Sequence, residues 1–192
     1  QWHELLEIYQ QKLVHTDNAD NRLEIQFKIA QLLEDLLDEP QGAIQVYCDI
    51  LENDQGQSES LQALTRLYEG EEMYSDLAQV YERQIDAAHG DEAITIQLRL
   101  GEVREMRLGE GAQALSIYQS VLADAPENEG VRFALERLMQ DPDLKADAAA
   151  SLAPVYTDRD DWSSLIDAYE IQQDMAEDSE QRIGFLHKIA HL

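Results

Sequence analysis

Cysteine is almost absent from the chain. Its 192 residues include one, Cys48, which excludes an intrachain disulfide and any cysteine-built zinc site. That thiol lies in an apolar helical stretch beside Tyr47 and Ile50, the setting of a packed side chain. Proline and glycine are also scarce, at four and nine residues, a composition that suits helices with short connections. No hydrophobic run approaches the ~20 residues that a membrane-spanning helix needs. Basic residues are the most conspicuous shortage: fourteen stand against forty acids, for a formal charge of −26. Such a field repels a phosphate backbone and an anionic membrane surface, so neither nucleic acid nor membrane is expected as a partner. Solubility is the plain reading of the charge, and a basic protein partner is the functional one. The opening at Gln1, without Met or signal peptide, reads as an excised or processed segment.

Motifs for chemistry are missing as well. There is no G-x-x-x-x-G-K-[ST] loop, G-x-G-x-x-G turn or H-E-x-x-H helix. Gly109-Glu110-Gly111 is the nearest to a glycine-rich loop, but no Lys-Ser/Thr follows it and acids surround it, so it reads as a turn. His187 and His191 stand one helical turn apart, a spacing that can chelate a metal. No third ligand accompanies them, and they read as surface or groove histidines. Among forty acids, carboxylate pairs at helical spacing arise by chance, so no catalytic residue, cofactor or metal is expected.

What the chain does contain is a repeat. Trp2, Leu5 and Tyr9 recur as Tyr74, Leu77 and Tyr81, and again as Trp162, Leu165 and Tyr169. Lys28-Ile29-Ala30, Arg99-Leu100-Gly101 and Lys188-Ile189-Ala190 each read basic, aliphatic, small. Ala43, Ile44, Tyr47 and Leu51 correspond to Ala114, Leu115, Tyr118 and Leu122 at a constant offset of 71. The larger unit is therefore about 72 residues and holds four helices, each with apolar positions at i, i+3, i+4 and i+7. Between Tyr74 and Trp162 the spacing grows to 88, and the surplus of about one helix and its turn is placed at Glu127–Met139. Start and stop signals (Asp17, Asn18, Asp20, Pro40, Gly90-Asp91, Asp141-Pro142) divide the chain into about eleven helices. Large aromatics such as Tyr9, Tyr47, Tyr81, Tyr118 and Tyr169 are core by default. Burying about 150–250 Å² each contributes roughly 4–6 kcal/mol as an upper bound.

Ala114–Asn128, ALSIYQSVLADAPEN, resembles the second helix and exit turn of a tetratricopeptide (TPR) motif, and Gly101 resembles the small residue of its first helix. Leu64, Tyr68, Tyr74, Leu77 and Tyr81 fit the same pattern without a gap. The resemblance departs from the family at Thr65, where a small residue is usual, and in having an exit proline only at Pro126. It implies an all-α, right-handed superhelical array (α-solenoid) of antiparallel hairpins, in the style of a longer bacterial repeat protein. Residues 1–16 then read as the second helix of a truncated repeat. Residues 20–56, 57–89 and 91–126 are hairpins, 127–140 an extra helix, 143–176 a further hairpin and 178–192 a first helix without its partner. A lone hairpin cannot bury both its apolar stripes, so stacking is required, and the two end helices are expected to expose faces suited to self-association.

In the TPR family the first helix of each hairpin lines the concave groove where peptides bind. Carried over by the small-residue alignment, the corresponding positions are Glu24, Phe27, Gln31 and Glu34, then Glu59, Gln62, Arg66 and Glu69, then Thr95, Leu98, Glu102 and Glu105. His187 and His191 fall on the same face of the last helix. The lysines and asparagines of a carboxylate clamp are not at these positions. The resemblance thus implies a non-catalytic protein-interaction scaffold with an acidic face for a basic or mixed polar–apolar segment. The other readings are an architectural spacer within a larger repeat protein and an RNA-processing helical scaffold, the latter opposed by the charge.

Overall fold

Polar side chains open five of the helices and left-handed residues follow the ends of four. Asn18, Gln57, Asn128, Asp161 and Asp178 each accept a hydrogen bond from the backbone N–H three residues on, satisfying donors that a first helical turn leaves free. Pro40 takes a first helical position, where its missing N–H costs nothing. The computed structural model describes residues 1–192 as eleven helices without a strand, the all-α class and the helix number expected from the repeat.

The helices fall into two compact units, Gln1–Ala88 and His89–Leu192. The first holds α1 (Trp2–Val14), α2 (Ala19–Asp35), α3 (Pro40–Asn53), α4 (Ser58–Gly70) and α5 (Tyr74–Ala87). The second holds α6 (Asp91–Met106), α7 (Gly111–Asp124), α8 (Glu129–Leu138), α9 (Lys145–Asp158), α10 (Trp162–Met175) and α11 (Ser179–Ala190). Within each unit every helix packs on its neighbour in the chain. The connections of three to six residues leave an antiparallel hairpin as the arrangement they can span.

Four of those connections share one device. Asp38, Glu72, Gly109 and Asp160 hold φ at 56°, 56°, 68° and 55°, the left-handed backbone that ends a helix. The next N–H then turns back on the helix just completed. Glu39 donates to the Leu33 carbonyl at 2.9 Å, Met73 to Tyr68 at 2.8 Å, Glu110 to Arg104 at 2.7 Å and Asp161 to Tyr156 at 2.9 Å. The Gly109 turn thus has a purely structural geometry, and only there does the sequence supply the residue that adopts it without a Cβ penalty.

Apolar stripes meet between the hairpin helices. In the first unit Ile25, Ile29, Leu32 and Leu33 of α2 are buried, as are Ile44, Tyr47, Ile50 and Leu51 of α3, Leu64, Leu67 and Tyr68 of α4, and Leu77, Val80 and Tyr81 of α5. In the second unit one cluster runs through α7, α8, α9 and α10, including Tyr118, Val121, Val131, Leu135, Leu152, Tyr156 and Leu165. The end helices differ: neither α1 nor α11 buries a residue fully, and Trp2, Ile8, Val14, Ile183 and Leu186 are exposed.

The helix α8 occupies the stretch where the repeat spacing jumps, and it does two jobs. Toward α6 it stands as α4 stands toward α2: Arg137 reaches Glu105 as Arg66 reaches Glu34, both pairs 32 residues apart. Toward α9 it stands as α3 stands toward α4: the Tyr156 hydroxyl donates to Glu136 at 3.2 Å where Tyr68 meets Cys48 at 3.4 Å, both 20 residues apart.

Close approach of α6 and α7 depends on Gly101. A Cβ there would lie 2.3 Å from Cε1 of Tyr118, a ring that is fully buried and tied through its hydroxyl to Glu105 at 2.9 Å. Gly101→Ala is therefore expected to destabilise the protein, because overpacking of about 1–3 kcal/mol outweighs the helix-propensity gain of about 1 kcal/mol. A urea midpoint at or above that of the wild type would refute this.

The tyrosines make the fold sensitive to alkali. Burial first, then the Glu105 charge and its hydrogen bond, push the Tyr118 phenol well above its ordinary value of 10.0. Burial and Glu136 do the same to Tyr156, burial and Cys48 to Tyr68, and burial and Glu34 to Tyr47. A pKa raised in the folded state stabilises the fold fully below the unfolded value and loses that contribution as pH rises beyond it. Stability should thus fall above about pH 10, and ultraviolet titration should show tyrosinate from these four rings only as helical circular dichroism is lost. Ionisation of all eight tyrosines as ordinary phenols with the helices intact would contradict it.

Candidate functional site

On α2, positions 24, 27, 31 and 34 follow the i, i+3, i+7 spacing that keeps side chains on one face, and positions 59, 62, 66 and 69 do the same on α4. The two helices are bridged by Arg66, whose guanidinium donates to both oxygens of Glu34, one of these bonds from Nη2 at 3.2 Å. Two parallel bonds fix both side chains in one plane. The Glu34 side chain is only 13% exposed and Arg66 is 64% exposed, so the carboxylate forms part of the floor and the arginine lies over it.

Around that pair is a cavity of about 330 Å³ lined by Gln31, Glu34, Asp35, Tyr47, Glu59, Gln62, Ala63 and Arg66. Five expected site residues meet here: Gln31, Glu34, Glu59, Gln62 and Arg66. Glu24, Phe27 and Glu69 stand outside the lining. Glu24 is engaged by Lys28 one turn on, and that bond holds its carboxyl below the usual range. Phe27 is half-buried with its ring tilted at 55° to Tyr47, centroids 6.1 Å apart. Asp35, Tyr47 and Ala63 are lining residues that the spacing did not single out. Tyr47 serves core and groove together, with its ring buried. Asp35 is the last residue of α2 and follows Gln31 at i, i+4, which puts it on the same face.

The corresponding pair in the second unit is tighter. Arg137 donates from Nε and Nη2 to the two oxygens of Glu105, each at 2.6 Å, and the Tyr118 hydroxyl donates to the same carboxylate at 2.9 Å. Glu105 is 12% exposed. Of the other expected positions, Glu102 is exposed, the exposed Thr95 turns its hydroxyl back to the Asp91 carbonyl at 2.8 Å, and the half-buried Leu98 packs on the α7–α10 cluster. Arg137 escaped the sequence reading because its segment was taken as an added helix. The signal was present: Glu34/Glu105 and Arg66/Arg137 both recur at 71 residues.

His187 and His191 are exposed, and no group of three or more His, Cys, Asp or Glu side chains is placed to hold a metal ion. No helix is long and apolar enough to cross a membrane. Arg104 pairs with Glu110 at 2.6 Å beside the Gly109 turn, so that loop is closed on itself by charge.

A tetratricopeptide-repeat family model matches residues 60–94, most of α4, all of α5 and the first residues of α6. Among solved structures the chain is similar to YrrB, described as a TPR protein with an unusual peptide-binding site, at 19% identity over 85% of this chain and 90% of that one, with a TM-score of 0.40. No curated protein sequence matches it. Over residues 60–94 the helical hairpins, which recur at 71 residues and share one kind of closing turn, are thus similar to the tetratricopeptide-repeat family.

Proposed function

We propose that the chain is a non-catalytic scaffold whose α2–α4 groove docks a basic segment of a partner protein. The observation that carries this is the state of the one cation in the groove: Arg66 is committed to Glu34 by two hydrogen bonds, while Asp35 and Glu59 stand exposed on the lining. With its arginine so engaged the groove presents net negative charge, and the field of a chain at −26 adds to it. A lysine or arginine entering at Asp35 or Glu59 gains a charge-assisted hydrogen bond. Gln31 and Gln62 each offer a donor and an acceptor to the backbone of an extended peptide. An acidic terminus would meet these carboxylates and find no free lysine among the lining residues. RNA meets the same obstacle along its whole backbone.

A fluorescent Lys/Arg-rich peptide titrated against the full chain tests the reading. Binding should weaken as salt rises, and the double reversal Asp35→Lys, Glu59→Lys should lower affinity by about tenfold or more, ~1.4 kcal/mol. Affinity indifferent to both salt and reversal, or a preference for an acidic peptide, would sink it.

A further inference from the structure

The second unit carries a face of the same construction and different chemistry. The α8 helix lies beside α6, joined by the Arg137–Glu105 pair at one end. At the other, an added Cβ on Gly130 would lie 3.3 Å from Cδ1 of Leu98. Gly130, Phe133 and Arg137 share one face of α8, as Leu98, Glu102 and Glu105 share one of α6. Phe133 therefore sits between the two contacts, in the place that Gln62 holds in the first unit 71 residues earlier. Met106 likewise stands where Asp35 does, and Glu102 where Gln31 does.

Two polar lining positions of the first groove have thus become large apolar ones in the second, and both are open: Phe133 is 54% exposed and Met106 62%. Single exposed apolar residues are ordinary on a surface. Two of them on positions whose counterparts line a groove, around a retained ion pair whose carboxylate is nearly covered, are a built feature. Phe133 is also held in place. The Arg132 guanidinium lies 4.3 Å from its ring centroid and is itself fixed by Glu136 at 2.6 Å. The exposed Glu102 carboxylate on the facing helix supplies negative charge next to the apolar spot.

We propose that the α6–α8 face is a second docking groove, whose occupant is a partner segment that places one large aliphatic or aromatic side chain beside a lysine or arginine. The apolar side chain covers Phe133 and Met106, and the cation meets Glu102. The inference rests on the docking reading of the α2–α4 groove for its geometry, and it assigns the second unit a ligand class that the first unit's mostly polar lining would not select.

Two labelled peptides of equal charge separate the sites, one with Lys/Arg in a serine background, the other with leucine and phenylalanine next to the basic residues. Phe133→Gln, which installs the first unit's residue at an exposed position, should weaken the apolar–basic peptide about tenfold and leave the serine-background peptide unchanged. Met106→Asp should act in the same direction, with circular dichroism and melting of both variants as in the wild type. Phe133-dependent binding that persists when the serine-background peptide fails to bind supports this groove and overturns only the first. Binding of both peptides that is indifferent to Phe133→Gln and Met106→Asp overturns the second groove alone, and binding of neither peptide overturns both.

Discussion

At two of the hairpins a tyrosine of the second helix packs closely because the first helix keeps its own side chain small or absent beneath the ring. At Tyr118 that position is Gly101, and the fully buried Ala30 holds the corresponding place in the first unit, with Tyr47 as its tyrosine. The placement of the ring governs more than packing. With the ring fixed, its hydroxyl reaches Glu105, the carboxylate is oriented, and Arg137 can close on it with two bonds. That closure sets α8 against α6. The α6–α8 face is thus determined, through three contacts in series, by the absence of a side chain at one helical position.

The same series explains where the cations went. Of fourteen basic residues, Lys28, Arg66, Arg104, Arg132 and Arg137 are committed to carboxylates of their own chain. Exposed pairs of this kind contribute little to stability. Glu34 and Glu105 are nearly covered, and leaving either without its arginine would strand a charge in a poorly solvated place. The surplus of acid is therefore left on the outside, and a basic partner would meet it there.

Much of this was legible in the sequence because it is periodic. The helix number, the turn at Gly109 and the buried Tyr47, Tyr81 and Tyr118 follow from spacings of three to four and of about 72. Tyr9 and Tyr169, expected in the core, are only half-buried, and the five expected residues of the α2–α4 groove came from the family resemblance. Asp35 was missed although it follows Gln31 at i, i+4 on the same stripe, because the family positions carried over stop at Glu34. Tyr47 was read as core, and it is core; that its edge also forms a floor is a matter of depth, which periodicity does not encode. Arg137 and Phe133 were missed for a different reason. Their helix obeys an offset of 71 toward one neighbour and of 88 toward the other, and a linear alignment can honour one register at a time.

That double register makes α8 the counterpart of a stacking fault in a crystal. On one side of it the layers follow one phase, on the other side a second phase, and both lattices are satisfied across a single plane. An ordinary repeat can be duplicated or lost with a local change in length, since its two interfaces are interchangeable with those of its neighbours. A fault plane cannot, because its two faces are not alike. Any sequence that drifts at α8 must keep Arg137 for α6 and Glu136 for α9 at once, adjacent residues answering to opposite neighbours. The shortest of the eleven helices is thereby the one with the least freedom to vary.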